Sequence, residues 1–469
     1  MSIISCFLMP HPPLIIPEIG KGEEKKIQDT IDSMDKIGML VAEYRPDTIV
    51  VITPHGNLFR DAISVNYDKL LIGDFGSFGH RNISQEYIND REFADAIVEE
   101  ATDNNIPAAL LDYNLKKEYM LDSRLDHGVL VPLHFVTKYY KSFDMVHITY
   151  GLLSNMDLYG FGQVIQNISH KLNRRVVVIA SGDLSHKLTR NAPSGFSESG
   201  PLFDQLIMRR LKDDNRIDIM TIDSKFSEKA GECGLRSIQI MIGTLDGLAT
   251  TNKVFSYEGP FGVGYGCVEL TVTGNQSDKS ILHEIDRKNN AIKAEVREKE
   301  DEYVRLARKT LETYVMDKKR ITPDANVLDK ILLTEKAGVF VSLKKNGELR
   351  GCIGTIEPTQ NNIAEEIINN AISAGIYDPR FKPIDEDELD QLIYSVDVLM
   401  KPEKVSTKDM LDPQEYGVIV SKGHKKGLLL PNLEGVDTVD EQLRIALRKA
   451  GINSWEDYKM ERFRVVRHH

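Results

Sequence analysis

The sequence predicts an α/β N-terminal domain with a mainly parallel central sheet, followed by an α+β C-terminal domain. Short apolar runs that end in Pro or Gly turns recur through the first 190 residues, with helical stretches between them. A strongly charged segment then interrupts the chain, and an amphipathic helix and a hairpin pattern follow it. That order of elements is typical of two domains of different classes.

Composition bounds the class of protein. A chain of 469 residues exceeds one ordinary core, and 41% hydrophobic with 28% charged residues is the balance of a folded protein. The net charge of -12 argues against a nucleic-acid partner. No run approaches the roughly 20 apolar residues of a membrane helix, and a signal-peptide pattern is missing. Four widely spaced cysteines without a CxxC motif favour a reducing, cytoplasmic location.

Three apolar runs share one pattern: each leads into a turn that carries a histidine. Continuous runs of this length are typical of strands buried on both faces, and residues 23–44 predict a helix between the first two, as in βαβ units. Ligands bind at the carboxyl ends of such strands, so we expect the three histidines to meet in one crevice. The runs are Ile3–Leu8 before His11, Thr48–Ile52 before His55, and Val176–Ala180 before His186.

The chain changes character after the last of these predicted units. Residues 274–280 are small and polar, and residues 285–302 are a dense mixture of Lys, Arg, Glu and Asp. Such a composition is typical of a solvated, partly helical connector. We therefore predict a first domain at residues 1–274, a charged linker at 275–298 and a second domain at 299–469.

The second domain opens with apolar residues at helical spacing from Tyr303 to Tyr314. Strands are predicted at Val339–Leu343 and Glu348–Ile353, since the Asn346-Gly347 pair between them suits a type I′ turn. Further helices are predicted near residues 361–374 and 439–449. This is a mixed α+β pattern.

The histidines suggest a metal site. A non-haem iron(II) site of the facial-triad kind needs two neutral imidazoles and one anionic ligand, for which His11 and His55 supply the imidazoles. The anion has two adjacent candidates, Glu232 as a carboxylate and Cys233 as a softer thiolate. The structural alternative makes Glu232 a helix-start carboxylate and Cys233 a small buried side chain. The residues alone leave both readings open.

Two further motifs offer acid and base groups. Asp126 precedes His127, and Asp183 stands three residues before His186. A histidine with a pKa near 6.5 can accept a substrate proton and return it later. Asp183 has the alternative role of a turn or N-cap residue.

These motifs together resemble the LigB superfamily of class III extradiol dioxygenases and their Memo relatives, over about residues 1 to 272. The resemblance implies iron(II) at His11 and His55, with copper or zinc as alternative metals. It also implies His127 and His186 as acid/base residues around a catecholate and dioxygen. Cys233 matches the cysteine of Memo-type sites, whereas Glu232 would restore the dioxygenase carboxylate only after a shift of one residue. The motifs are Met9-Pro10-His11-Pro12-Pro13, Thr53-Pro54-His55-Gly56, Leu125-Asp126-His127-Gly128 and Gly182-Asp183-Leu184-Ser185-His186.

The second domain carries a candidate site of its own. Cys352 lies between two glycines at the end of a predicted strand, where it could meet a ligand or act as a nucleophile, although strand cysteines are usually buried and inert. Arg350 and Asp378 could line a site for a polar ligand, or could be surface ion-pair residues.

Residues 349–354, 377–381, 429–431 and 439–452 are similar to the AMMECR family, over about residues 300 to 466. That resemblance implies a radical SAM partner protein in a shared pathway, but it defines no activity.

The leading hypothesis is an iron(II)-dependent oxidoreductase that takes an aromatic diol and dioxygen. The alternative is a metal-binding or scaffold protein of Memo type without turnover. A third reading is a metal hydrolase, because two histidines and an anion can also activate water. The sequence is compatible with a homo-oligomer as well as with a monomer.

Overall fold

The apolar runs of the first half of the chain form buried strands, which confirms the predicted α/β class. The computed structural model describes residues 2–345, 348–432, 436 and 438–469. The chain separates into two units, Met1–Ala291 and Ile292–His469. Among the described residues, no helix has the length and apolar character needed to cross a membrane.

The first unit alternates strands and helices. Its strands are β1 (Ile3–Met9), β2 (Thr48–Thr53), β3 (Ile63–Asn66), β4 (Leu70–Phe75), β5 (His80–Ile88), β6 (Ala108–Leu111), β7 (Asp144–Thr149), β8 (Val176–Ser181), β9 (Leu248–Glu258) and β10 (Tyr265–Asn275). Its α-helices are α1 (Pro17–Gly20), α2 (Gln28–Tyr44), α3 (Arg91–Asp103), α4 (Tyr113–Glu118), α5 (His127–Val136), α6 (Asn155–Lys171), α7 (Ser199–Lys212), α8 (Arg216–Met220), α9 (Ser224–Ala230), α10 (Leu235–Gly243) and α11 (Leu282–Lys299), which contains the boundary between the units.

The main sheet of the first unit has the strand order β6-β3-β7-β2-β8-β1-β10-β9. Strands β7, β2, β8 and β1 are parallel neighbours, and β10 pairs with β1 in the antiparallel direction. The segments that follow Met9, Thr53 and Ser181 therefore leave the sheet at the same edge. Parallel strands place ligand-binding residues at this edge.

Both faces of the sheet are covered. In β1, Cys6 and Leu8 belong to a core shared with α3, α6 and α10, whereas Phe7 and Met9 belong to a second core shared with α2 and α5. Burial on both faces removes the need for polar residues at alternate positions. This explains why the strands read as continuous apolar runs.

Two local predictions differ in detail from the structure. The helix predicted over residues 23–44 is a 3-10 turn at Glu23–Ile27 followed by α2. The predicted connector is helical from Leu282, and both Ile281 and Ile285 are buried in the first unit's core. Many charged residues lie near these two isoleucines in the sequence, so their burial in the core was not predicted.

The second unit combines helices with antiparallel sheets, which confirms the predicted α+β class. The helices are α12 (Glu302–Asp317), α13 (Lys330–Thr334), α14 (Ile363–Ile376), α15 (Glu386–Leu389) and α16 (Val439–Ala450). The strands are β11 (Val339–Lys345), β12 (Glu348–Gly354), β13 (Leu392–Leu399), β14 (Glu403–Val405), β15 (Gly417–Lys422), β16 (Lys425–Leu429), β17 (Lys459–Phe463) and β18 (Val465–His468). The sheets have the orders β12-β11-β13-β18 and β14-β17-β15-β16. The predicted Asn346-Gly347 turn lies outside the described residues.

Candidate metal centre

His11, His55 and Cys233 converge at the carboxyl edge of the first unit's sheet. The Nε2 atoms of His11 and His55 lie 3.0 Å apart, and the Cys233 Sγ lies 3.6 Å from the Nε2 of His11. Donor atoms of all three residues lie within 4.8 Å of one another. Nitrogen and sulfur atoms bound to one ion at about 2.0–2.3 Å lie about 3–4 Å apart. The donor spacing therefore fits a single divalent cation.

Ser181 fixes the tautomer of His11. The Ser181 hydroxyl donates its proton to the carbonyl oxygen of Gly128 at 2.5 Å, and its oxygen lies 2.9 Å from the Nδ1 of His11. A hydroxyl has only one proton to donate, so Nδ1 must be the donor to Ser181. The lone pair of His11 is then on Nε2, which faces His55 and Cys233. Burial, followed by the charge of His55, lowers the pKa of His11 well below its ordinary value, which keeps the imidazole neutral.

Replacing Ser181 with alanine is expected to weaken metal binding about 10- to 100-fold, because a histidine ligand then loses the acceptor that orients it. The measurement is a cobalt(II) titration of the full chain. Ser181→Thr keeps the hydroxyl and is the control, with an affinity close to that of the unchanged protein. Equal affinities for the alanine and threonine variants would contradict this role.

Cys233, and not Glu232, faces the histidines. The Sγ of Cys233 lies 3.7 Å from the Nε2 of His186. The Glu232 carboxylate instead accepts a hydrogen bond of 2.7 Å from the backbone N–H of Leu235 at the start of α10. The structure therefore places Glu232 at the helix start, and the prediction of a carboxylate ligand there is not supported. Of these two adjacent candidates, Cys233 is the one with ligand geometry.

The Cys233 side chain is a thiol in the absence of a cation. Burial, followed by the negative charge of Asp183, raises the pKa of Cys233 well above its ordinary value, and Sγ lies 3.6 Å from the carbonyl oxygen of Asp183 as donor. A bound divalent cation would stabilise the thiolate and displace this proton. Metal uptake at this site would therefore release a proton and tighten as pH rises.

His127 and His186 border the three donor residues. The His127 ring stacks on His55 with centroids 4.3 Å apart and meets His11 edge-on at 5.3 Å. Burial, followed by the charge of His11, lowers the pKa of His127 to about 4, and burial also lowers the pKa of His186. Both imidazoles are neutral near pH 7 and can accept a proton.

Asp183 holds the turn that carries His11. Its Oδ1 accepts a hydrogen bond of 2.9 Å from the backbone N–H of His11. Burial raises the pKa of Asp183 to about 6, although this hydrogen bond acts in the opposite direction. In this structure Asp183 is an anchor for the segment after β1.

The pH dependence of unfolding should contain a contribution from His127. Its folded pKa lies below the unfolded value of 6.5, so the unfolded chain takes up the proton first. The stability contributed by the neutral ring is present above about pH 6.5 and is lost as pH falls toward about 4. His127→Gln should therefore reduce the slope of unfolding free energy in this window, by at most about 1.4 kcal/mol per pH unit. Calorimetry of the metal-free chain measures the slope. His170→Gln, at an exposed position of α6, should leave it unchanged.

The residues predicted for a second site in the other unit do not form one ion pair. Arg350 pairs with Glu388 at 2.7 Å, whereas Asp378 pairs with Arg380 at 2.7 Å. The Asp378 carboxylate accepts from the Cys352 backbone N–H, and Arg380 donates to the Cys352 carbonyl oxygen, each at 2.9 Å. Since β12 is an edge strand, these contacts pair the backbone N–H and carbonyl oxygen of Cys352, which would otherwise be free at the edge.

A groove of about 340 Å³ lies elsewhere on the first unit. It is lined in part by Ser2, Gln166 and Asp246 and adjoins the start of β1, opposite to the edge that carries the histidines. It does not include the donor residues.

Two family models match successive parts of the chain. Residues 5–268 match the family model described as the catalytic LigB subunit of aromatic ring-opening dioxygenase, and residues 304–468 match the AMMECR1 model. A protein of Clostridium acetobutylicum is 46% identical over 468 residues, covering 100% of this chain and 99% of its own length. A protein of Thermotoga maritima is 52% identical over 171 residues, which is 36% of this chain and 98% of its own. The crystal structure of an uncharacterized protein from Pyrococcus horikoshii has a TM-score of 0.33 and 34% identity, over 35% of this chain and 88% of its own.

Proposed function

Because the chain belongs to the LigB family of aromatic ring-opening dioxygenase subunits and carries an AMMECR1 domain after it, we propose that its first unit is an iron(II)-dependent oxidoreductase for a dihydroxylated aromatic or related small molecule. The observation that carries the proposal is the convergence of two neutral imidazoles and a thiol within 4.8 Å. Copper and zinc are the alternative metals. The radical SAM partner remains a prediction from the sequence.

The donor set fits such an ion. His11 presents an oriented lone pair on Nε2, and the Nε2 of His55 lies 3.0 Å from that atom. Cys233 supplies the anion once its proton is displaced. A bound iron(II) ion would supply Lewis acidity and electrons for reaction with dioxygen. His11, His55 and Cys233 are the residues that would hold it.

Two neighbouring imidazoles supply the proton chemistry. A diol must lose a proton to become an electron-rich ring, and a neutral histidine beside the ring can accept it. His186, whose Nε2 lies 3.7 Å from the Cys233 sulfur, and His127, stacked on His55, are the two candidates. The protonated imidazole can later return the proton to the product.

The reaction balances without a reductant, since both atoms of dioxygen enter the ring-opened product. The test is oxygen consumption by the anaerobically iron-loaded full chain with a panel of catechols, together with mass spectrometry of the product. The expected result is one dioxygen consumed for each ring opened, with no activity in His55→Ala.

A second candidate is a metal-binding protein without turnover, which a thiol at the third ligand position favours, because a softer ligand alters the iron chemistry of the carboxylate-containing sites. Stoichiometric metal without oxygen uptake on any diol would support this candidate. Hydrolytic activity with zinc would support the hydrolase reading instead. Either result would overturn the oxidoreductase proposal.

A further inference from the structure

Two buried titratable side chains beneath the candidate metal centre take no part in the proposed chemistry. The Nε2 of His147, in β7, lies 3.3 Å from the Oδ2 of Asp126, and the two side chains are 6% and 9% exposed. Neither atom has a hydrogen-bond partner among the described residues, so their 3.3 Å contact is close but is not an aligned hydrogen bond. Buried polar groups that face each other in this way are costly unless they are paired, so their arrangement needs an explanation.

The surrounding hydrogen bonds determine which ring nitrogen of His147 carries the proton. Lys116, a donor only, donates to the Oδ1 of Asn66 at 2.7 Å, and the backbone N–H of Asp68 donates to the same oxygen at 3.1 Å. The amide orientation of Asn66 is therefore determined, and its Nδ2 faces the Nδ1 of His147 at 3.5 Å. Nδ1 must accept from this donor, so the imidazole proton is on Nε2 and faces the Asp126 carboxylate.

The same carboxylate supports two segments of the candidate centre. The Oδ1 of Asp126 accepts from the Thr53 hydroxyl at 2.7 Å and from the backbone N–H of Gly128 at 2.8 Å. The oxygen of Thr53 in turn accepts from the backbone N–H of His55 at 3.2 Å. Gly128 lies in the first turn of α5, directly after His127. Asp126 thus braces both His55 and His127, whose rings stack on each other.

We propose that His147 and Asp126 are positioning residues, which hold the side chains of His55 and His127 in place. The contacts that run from Lys116 through Asn66 fix the orientation of His147. Burial by itself would raise the pKa of Asp126, but the nearby His147 and the hydrogen bond from Thr53 outweigh it and keep the carboxylate ionised. The turn after His55 also packs against His147, because a Cβ added at Gly56 would lie 3.3 Å from the Nε2 of His147. The catalytic significance of this positioning rests on the proposed function, but the test of the positioning itself requires no turnover.

The first test is nitrogen NMR of the metal-free full chain with labelled histidine. We expect His147 to show the tautomer with its proton on Nε2. His147→Leu should shift the signals of His55 and His127, whereas His147→Gln, which can still donate to Asp126, should leave them largely in place. A His147 with its proton on Nδ1, or unchanged His55 and His127 signals in the leucine variant, would overturn the proposal.

The second test is cobalt(II) titration of the same variants. His147→Leu should bind at least about tenfold more weakly and with an altered visible spectrum, as expected for a lost supporting contact. His147→Gln and the exposed-site control His170→Leu should remain close to the unchanged protein. Unchanged affinity and spectrum in a folded leucine variant would also overturn positioning. If the unchanged protein binds no cobalt, the metal proposal fails, and the NMR result alone decides the role of His147.

Discussion

The Cys233→Ala variant is expected to lose its bound metal, falling from near one ion per chain to almost none. The remaining donors are two imidazoles, and the anion that neutralises the cation is gone. Glu232 cannot replace it without leaving the backbone N–H of Leu235 at the start of α10. The measurement is metal content after anaerobic purification, by atomic emission.

Glu232→Gln is the matched control, since it changes the adjacent residue and keeps an oxygen for the Leu235 N–H. We expect it to retain the metal. Loss of metal in the glutamine variant with retention in Cys233→Ala would mean that the carboxylate is the third ligand, in contradiction to the geometry. Loss in neither variant would place the metal elsewhere.

Gly243→Leu should destabilise the first unit by about 3 kcal/mol or more and also disturb the metal site. A Cβ at Gly243 would lie 2.1 Å from the carbonyl oxygen of Tyr159 and 3.0 Å from the Cα of Gly162, so α10 would have to move away from α6. Overpacking of a filled core typically costs 1–3 kcal/mol, and here the obstruction is backbone, which yields less readily. Cys233 lies two residues before α10 and would move with it.

Calorimetry and metal content of the same preparations test this expectation. Gly274→Ala is the control, because an added Cβ there meets no atom within 4 Å. Its stability should change by less than about 0.5 kcal/mol. A Gly243→Leu variant with unchanged unfolding and metal content would show that the α6–α10 contact does not position Cys233.

Much of the fold could be predicted because the pattern of the strands depends on local composition. Apolar runs before His11 and His55 identified buried parallel strands, since only burial on both faces tolerates such sequences. The edge at which these histidines meet followed from the topology of parallel sheets. The order of the strands did not, because nothing local to β3 or β6 specifies their partners.

The resemblance to Memo-type sites favoured Cys233, but the residues by themselves could not decide between Glu232 and Cys233, because adjacent side chains differ only in the direction that the turn gives them. That direction depends on the start of α10, where Glu232 satisfies a free backbone N–H. His147 was also missed. Its signal in the sequence is a titratable residue inside a buried strand, but the partner that gives it meaning, Asp126, is distant along the chain and reached only through folding.

The donors of the candidate centre come from widely separated parts of the chain. His11 and His55 are 44 residues apart, and His11 and Cys233 are 222 residues apart. An unfolded chain would have to close both loops to bind one ion, so an ion at this site would bind the folded unit preferentially. At a thousandfold excess over its dissociation constant it would add about 4 kcal/mol of stability. A shortage of the metal in the cell would then increase the fraction of unfolded chain that proteases can cleave. The abundance of the protein would fall as a result.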